Sequence, residues 1–190
     1  MCFGLCLATS AKAVAPTRLV YGEPAFRIEN GNVQVLLSLS VDQEDGLRDM
    51  LKDGAVLELG IGLSLERKRS WWSDAQTASV RYSSVIMHDS LSRDFIVLVP
   101  GPGGTQELRD RNLTRLLYAS WRALVLPLAS LDVLTAEDPD EIFNIVASIS
   151  LRHTDVPPWL EKSIIWSSDV VPSERLVFPF HFPAHNKAAP

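Results

Sequence analysis

The chain has 190 residues, of which 46% are hydrophobic and 22% charged, the make-up of one ordinary globular domain rather than a disordered or collagen-like polymer. Its net charge of -5 argues against a general nucleic-acid binder, which needs a basic footprint to displace phosphate counterions, and against an electrostatic membrane anchor. No segment approaches the roughly 18 apolar residues that would span a bilayer.

Residues 1–13 read as a signal peptide. The apolar run from Cys2 to Ala8 precedes Ala11-Lys12-Ala13, a small-x-small cleavage pattern, and Ala13 is the expected cleavage position. The run is short and no basic residue precedes it, which fits a leader whose start lies further upstream. Cleavage would remove one lysine and no acid, taking the net charge from -5 to -6. Both cysteines, Cys2 and Cys6, would leave with the leader, so no disulfide, thiol nucleophile or cysteine metal site is expected in the mature chain. Leu5 before Cys6 argues against a lipidated cysteine. Localisation is therefore expected to be periplasmic, with the cytoplasm as the alternative.

A single domain is expected over 17–184. Phe26 and Ile28, the turn Asn30-Gly31-Asn32, and the alternating Val33, Val35, Leu37, Leu39 and Val41 predict a hairpin with one buried face. Asp42 is the expected N-cap of a first amphipathic helix over about 43–53, with Glu44 and Asp45 in its first turn, Leu47, Met50 and Leu51 on its apolar face, and Gly54 as its stop. From Ala55 the period returns to two. Leu57, Leu59, Ile61, Leu63 and Leu65 share one face, while Glu58, Gly60, Gly62 and Ser64 share the other, where the glycines predict a bulge or a close neighbour. Ala78–Met87 and Asp94–Val99 predict further strands, and the run Pro100-Gly101-Pro102-Gly103-Gly104 a turn.

Leu113, Leu116, Leu117, Ser120, Trp121 and Leu124 predict a second amphipathic helix over 111–126, ended by Pro127. Alternation resumes at Ser130–Leu134 and Phe143–Leu151. Ile164–Trp166 and Leu176–Phe182 read as closing strands, and 185–190 as a disordered tail. The sum is a mostly β (α+β) class: an antiparallel β-sandwich-like domain with two helices.

Three segments in order, Leu47-Arg48-Asp49-Met50-Leu51-Lys52-Asp53-Gly54, Glu66-Arg67-Lys68-Arg69-Ser70-Trp71-Trp72-Ser73-Asp74 and Leu91-Ser92-Arg93-Asp94-Phe95, give the chain its pattern. In them it resembles the bacterial domain-of-unknown-function family 4390. The resemblance covers most of the chain after the leader and is best between Leu47 and Phe95. It departs at Trp71-Trp72-Ser73-Asp74. It implies an exported protein of Gram-negative bacteria with an accessory role at the envelope, and it carries no reaction and no catalytic residues.

The basic turn is the foremost candidate site. Arg67, Arg69, Trp71 and Trp72 combine guanidinium forks suited to carboxylates and phosphates with indole faces suited to sugars; the competing structural role is a tryptophan capping the core beside solvated cations. His88-Asp89-Ser90 and His153-Thr154-Asp155 hold the residue types of hydrolytic catalysis, but triads are assembled from distant positions and no glycine-flanked serine elbow is present. The four histidines, His88, His153, His181 and His185, are scattered, and Glu137–Glu141 lacks calcium-loop spacing, so neither a metal nor a cofactor is expected. Pro100–Thr105 lacks the lysine of a phosphate-binding loop. The expected function is that of an exported, non-enzymatic domain that binds another protein, such as an envelope or membrane protein, or an envelope component. A small-ligand or glycan-binding protein using the Arg67–Trp72 turn is the alternative, and a hydrolase comes third.

Overall fold

The computed structural model of the chain describes residues 17–67, 75–101, 104–131, 142–154 and 169–181. Its strands are β1 (Arg18–Tyr21), β2 (Ala25–Glu29), β3 (Asn32–Leu37), β4 (Leu39–Asp42), β5 (Leu57–Arg67), β6 (Ala75–Asp89), β7 (Asp94–Gly101), β8 (Gly104–Asp110), β9 (Leu124–Ser130), β10 (Ile142–His153) and β11 (Asp169–His181). Helix α1 (Glu44–Lys52) lies between β4 and β5, and α2 (Leu113–Trp121) between β8 and β9. All pairings among the described residues are antiparallel. The main sheet has six strands in the order β11-β10-β5-β6-β7-β8, and β2-β3-β9 and β1-β4 form two smaller ladders. The class is mostly β with two helices, as expected.

Asn30 and Gly31 close the β2–β3 hairpin with φ of 51° and 72°, the pair of left-handed residues that a two-residue type I′ turn requires. The alternating run from Val33 to Val41 is buried on one face, as its period demands. It is nevertheless two strands, because the chain breaks step at Ser38: β3 pairs with β2 and β9, and β4 turns to β1. The Gly22 N–H donates to the Ser38 carbonyl at 2.9 Å, so the backbone of the break is not left unpaired.

Helix α1 departs from expectation at its start. Asp42 ends β4, and the N-cap is Gln43 in the left-handed region with no side-chain cap; Glu44 and Asp45 supply the charge complement to the helix dipole instead. Its end follows expectation. Gly54 at φ 95° lets its own N–H reach Leu51 O at 3.1 Å and that of Ala55 reach Met50 O at 3.0 Å, a Schellman closure. Helix α2 is shorter than predicted, at Leu113–Trp121 instead of 111–126. Leu124, Leu126 and Leu128 are buried while Val125 and Pro127 face outward, so the last predicted turns are the strand β9, and the backbone hydrogen bonds available along β3 outweigh a helical continuation. Pro127 therefore sits in an edge strand rather than ending a helix.

Strands β1 and β8 were not expected. Four residues are too few to show a period, and Gly104–Asp110 is exposed along most of its length, so it carries no apolar signal. Its pairing with β7 is directed by the backbone, following the break that the sequence announces at Pro100–Gly104.

The inner face of the main sheet packs on the small ladders and the helices. Leu57, Leu59, Ile61, Leu63 and Leu65 of β5, Phe143 to Leu151 of β10, and Val33 to Val41 belong to one buried cluster with Leu47, Leu51 and Trp121. Two hydroxyls tie the layers: Tyr82 donates to the Pro127 carbonyl and Tyr21 to Glu174. The expected leader with its Ala13 cleavage position, the expected strand at 164–166, the tail at 185–190 and the greater part of 130–134 lie outside the described residues.

Candidate functional site

Of the basic turn, only Arg67 is described. It ends β5, opposite Phe143 on β10 and Ala75 on β6, and is half-buried; Arg69, Trp71 and Trp72 lie outside the described residues. Among the described residues no hydrogen bond joins the members of the two histidine triplets into a catalytic set. The His88 ring packs on Phe95 with centroids 4.9 Å apart, and no hydrogen bond among the described residues joins it to Asp89 or Ser90. Asp89 is committed to its own turn, taking the Leu91 N–H at 2.9 Å and the Ser92 hydroxyl at 3.0 Å. His153 stands opposite Leu57 at the end of β10, and Thr154 bonds back to the Val56 carbonyl; Asp155 and His185 lie outside the described residues. Among the described residues no three His, Cys, Asp or Glu side chains stand together as metal ligands, and no helix is long and apolar enough to cross a membrane.

The glycine face of β5 proves to be the floor of a groove on the outer side of the main sheet. Gly60 and Gly62 face Ser150 and Ser148 in register across β10, and a Cβ added at Gly62 would come within 2.5 Å of Ser148 Oγ. The close neighbour is thus a cross-strand hydroxyl, and the bulge lies elsewhere, between Leu65 and Glu66. The groove, of about 520 Å³, is lined by hydroxyls with Arg81 and Arg152 at its side. Arg152 is tied to Glu58 at 2.8 Å. The groove offers hydroxyl contacts and two cations, Arg81 and Arg152, half the number that line the cleft beside α1.

A second concavity differs in kind. Helix α1 contributes Arg48 and Lys52, the β6–β7 hairpin His88, Ser90, Arg93 and Phe95, and the β8–α2 junction Arg111, to a cleft of about 570 Å³. Its lining holds four cations and no carboxylate, although the chain as a whole is acidic. A smaller hollow of about 330 Å³ continues it, sharing Arg48 and Arg111 and reaching the first turn of α2. That helix starts at Asn112, whose side chain accepts the Arg115 N–H at 3.0 Å; it has no acidic residue in its own first turn, and the Asp110 carboxylate, which accepts the Asn112 N–H at 2.8 Å, stands just before it.

Four carboxylates beside the cleft are already engaged. Glu44 and Asp45 meet Arg48, Glu44 also accepts from Thr114, Asp94 meets Arg111 at 3.4 Å, and Asp110 meets Arg115. The hydrogen bond from Arg115 and the N–H of Asn112 hold the Asp110 carboxyl below the usual carboxylate range. Lys52 and Arg93 make no ion pair among the described residues. Arg93 is carried in the left-handed region, φ 62°, by a turn fixed at both ends: its N–H donates to Asp89 O at 2.8 Å and the Asp94 N–H to Ser92 Oγ at 3.3 Å. The arrangement can hold an anion between a helix, a hairpin and a helix start.

Sequence reasoning missed this cleft because its cations are spread from residue 48 to residue 111 and belong to no run. A signal existed all the same. Two of the three segments that give the chain its pattern, Leu47–Gly54 and Leu91–Phe95, meet here and supply three of the four cations. No curated protein and no solved structure matches the chain. The family described as "Domain of unknown function (DUF4390)" matches residues 22–174, which contain both helices, the described strands β2 to β10 and the whole of the basic cleft, and the chain belongs to that family.

Proposed function

We propose that this protein is an exported, non-enzymatic binding domain of the periplasm that holds an anionic group of an envelope component in the cleft formed by Arg48, Lys52, Arg93 and Arg111. The observation that carries the reading is the charge of that lining, four cations without a carboxylate on a chain of net charge -5. Glu44, Asp45, Asp94 and Asp110 are engaged elsewhere, and Lys52 and Arg93 make no ion pair among the described residues. Guanidinium and ammonium groups gathered from three elements bind anions through charge-assisted hydrogen bonds. Export is supported by the leader-like pattern ending at Ala13.

The test is sedimentation of the purified protein with isolated envelope fractions, beside cell fractionation of the chain expressed from its intact gene. The wild type should recover in the periplasm, pellet with the envelope at low salt, and be released as the ionic strength rises toward about 1 M, where screening acts over only a few ångströms. Lys52→Glu/Arg93→Glu, both positions being exposed, should stay in the supernatant with an unchanged circular dichroism spectrum. A double variant that pellets like the wild type overturns the reading. A second protein released with the wild type would identify the envelope component as a protein.

A further inference from the structure

The cleft's geometry also bears on which anion it suits, an inference that rests on the anion-binding reading above. We propose that the group held there is a phosphomonoester, bound as its dianion. Two observations point to it. Lys52 and Arg93, the two cations without ion-pair partners among the described residues, set the charge that a ligand must supply, and a single carboxylate would satisfy only one of them. A phosphomonoester carries a charge of about -1.5 to -2 near neutral pH. The second observation is the direction of approach. The donors come from α1, from the β6–β7 hairpin and from the β8–α2 junction, three sides of one cleft. A planar carboxylate is matched by one guanidinium fork from one side, whereas the three terminal oxygens of a phosphate can accept from three sides at once.

The surroundings are consistent with that group. Arg111 uses Nε toward Asp94, which leaves the two terminal nitrogens of its fork as donors. The Phe95 ring, 3% exposed and packed against His88, forms an apolar floor. At about 570 Å³ the cleft has room for the body that carries the phosphate. The phosphoryl group could sit on a water-soluble molecule or on a lipid headgroup, and the chemistry that recognises it is the same.

Isothermal titration of the full chain with glucose 1-phosphate, inorganic phosphate and acetate separates charge from class. The two phosphates should bind at least about tenfold more tightly than acetate, and Lys52→Gln/Arg93→Gln should erase the difference. Arg111→Gln, at a position far out in solvent, removes a cleft donor and the contact with Asp94 but changes no residue of the hairpin, and should weaken phosphate with an unchanged circular dichroism spectrum, which keeps the test valid if the double variant folds poorly. Flotation with phosphatidylcholine vesicles containing phosphatidic acid or phosphatidylglycerol distinguishes the sources. Preference for phosphatidic acid places the monoester on a lipid, and tight glucose 1-phosphate binding with no gain on vesicles places it on a soluble molecule; either supports the proposal. Equal binding of acetate and phosphate, both weakened by the variants, overturns the phosphomonoester and leaves the anion cleft standing. No binding of any probe overturns both.

Discussion

Asp89 shows how one side chain can fix a segment on which a site depends. The Leu91 N–H and then the Ser92 hydroxyl stabilise its charged form and hold its carboxyl below the ordinary carboxylate range. A carboxyl depressed in the folded state contributes stability that is complete above the unfolded value, near about 4, and is withdrawn as the pH falls through the depressed one. Asp89→Ala should therefore be less stable than wild type in urea melts at about pH 7, and the gap between them should narrow at about pH 2. A gap independent of pH would show that the turn does not depend on this charge. Because the same turn carries Arg93 in the left-handed region, its loss should reach the cleft as well as the fold.

Helix α1 is nine residues long and too short to stand alone, so its ends and its buried face decide whether it forms. Leu47 and Leu51 are fully buried, and the closure at Gly54 turns the chain back into β5. Gly54→Ala would force a Cβ into a backbone of φ 95° and should cost about 1 kcal/mol, read from denaturant midpoints at an unchanged slope. Beyond its chain neighbours nothing lies within 4 Å of the added Cβ, so any cost would come from the backbone and not from a clash. A neutral substitution would remove the closure from the account of how Lys52, in the last turn, is positioned. Gly60 and Gly62 act between elements instead, leaving the outer face of the main sheet shallow beside the serines of β10.

At the scale of the molecule, helix and sheet are joined through Trp121. Its ring is fully buried, and its indole N–H donates to the Ser84 hydroxyl of β6 at 2.9 Å, so the largest core side chain also satisfies its single polar atom. Trp121→Ala should lower stability by about 3–5 kcal/mol through lost contacts, the cavity, and an unpaired Ser84 hydroxyl. Since β3, β5, β9, β10 and both helices share one buried cluster, the loss should appear as a single cooperative transition shifted downward by far-UV and tryptophan signals alike. Two separated transitions would divide the chain into independent units.

The period-two runs at 33–41, 57–65 and 143–151, the Asn-Gly turn and the Gly54 stop were legible in the residues, because alternation and left-handed turns are local properties of a chain that must bury one face. Composition likewise argued against a general nucleic-acid binder, which is a statement about the summed charge. What no local reading could supply were the ends of α2, the strands β1 and β8, and the basic cleft. The first three follow from backbone partners that exist only once β3, β4 and β7 are in place. The cleft follows from topology: α1, the β6–β7 hairpin and the start of α2 bring together Arg48, Lys52, Arg93 and Arg111, whose charges are diluted along an acidic sequence and concentrated only in space. Net charge is additive along the chain, whereas the potential in a cleft depends on distance, and distance is decided by the fold.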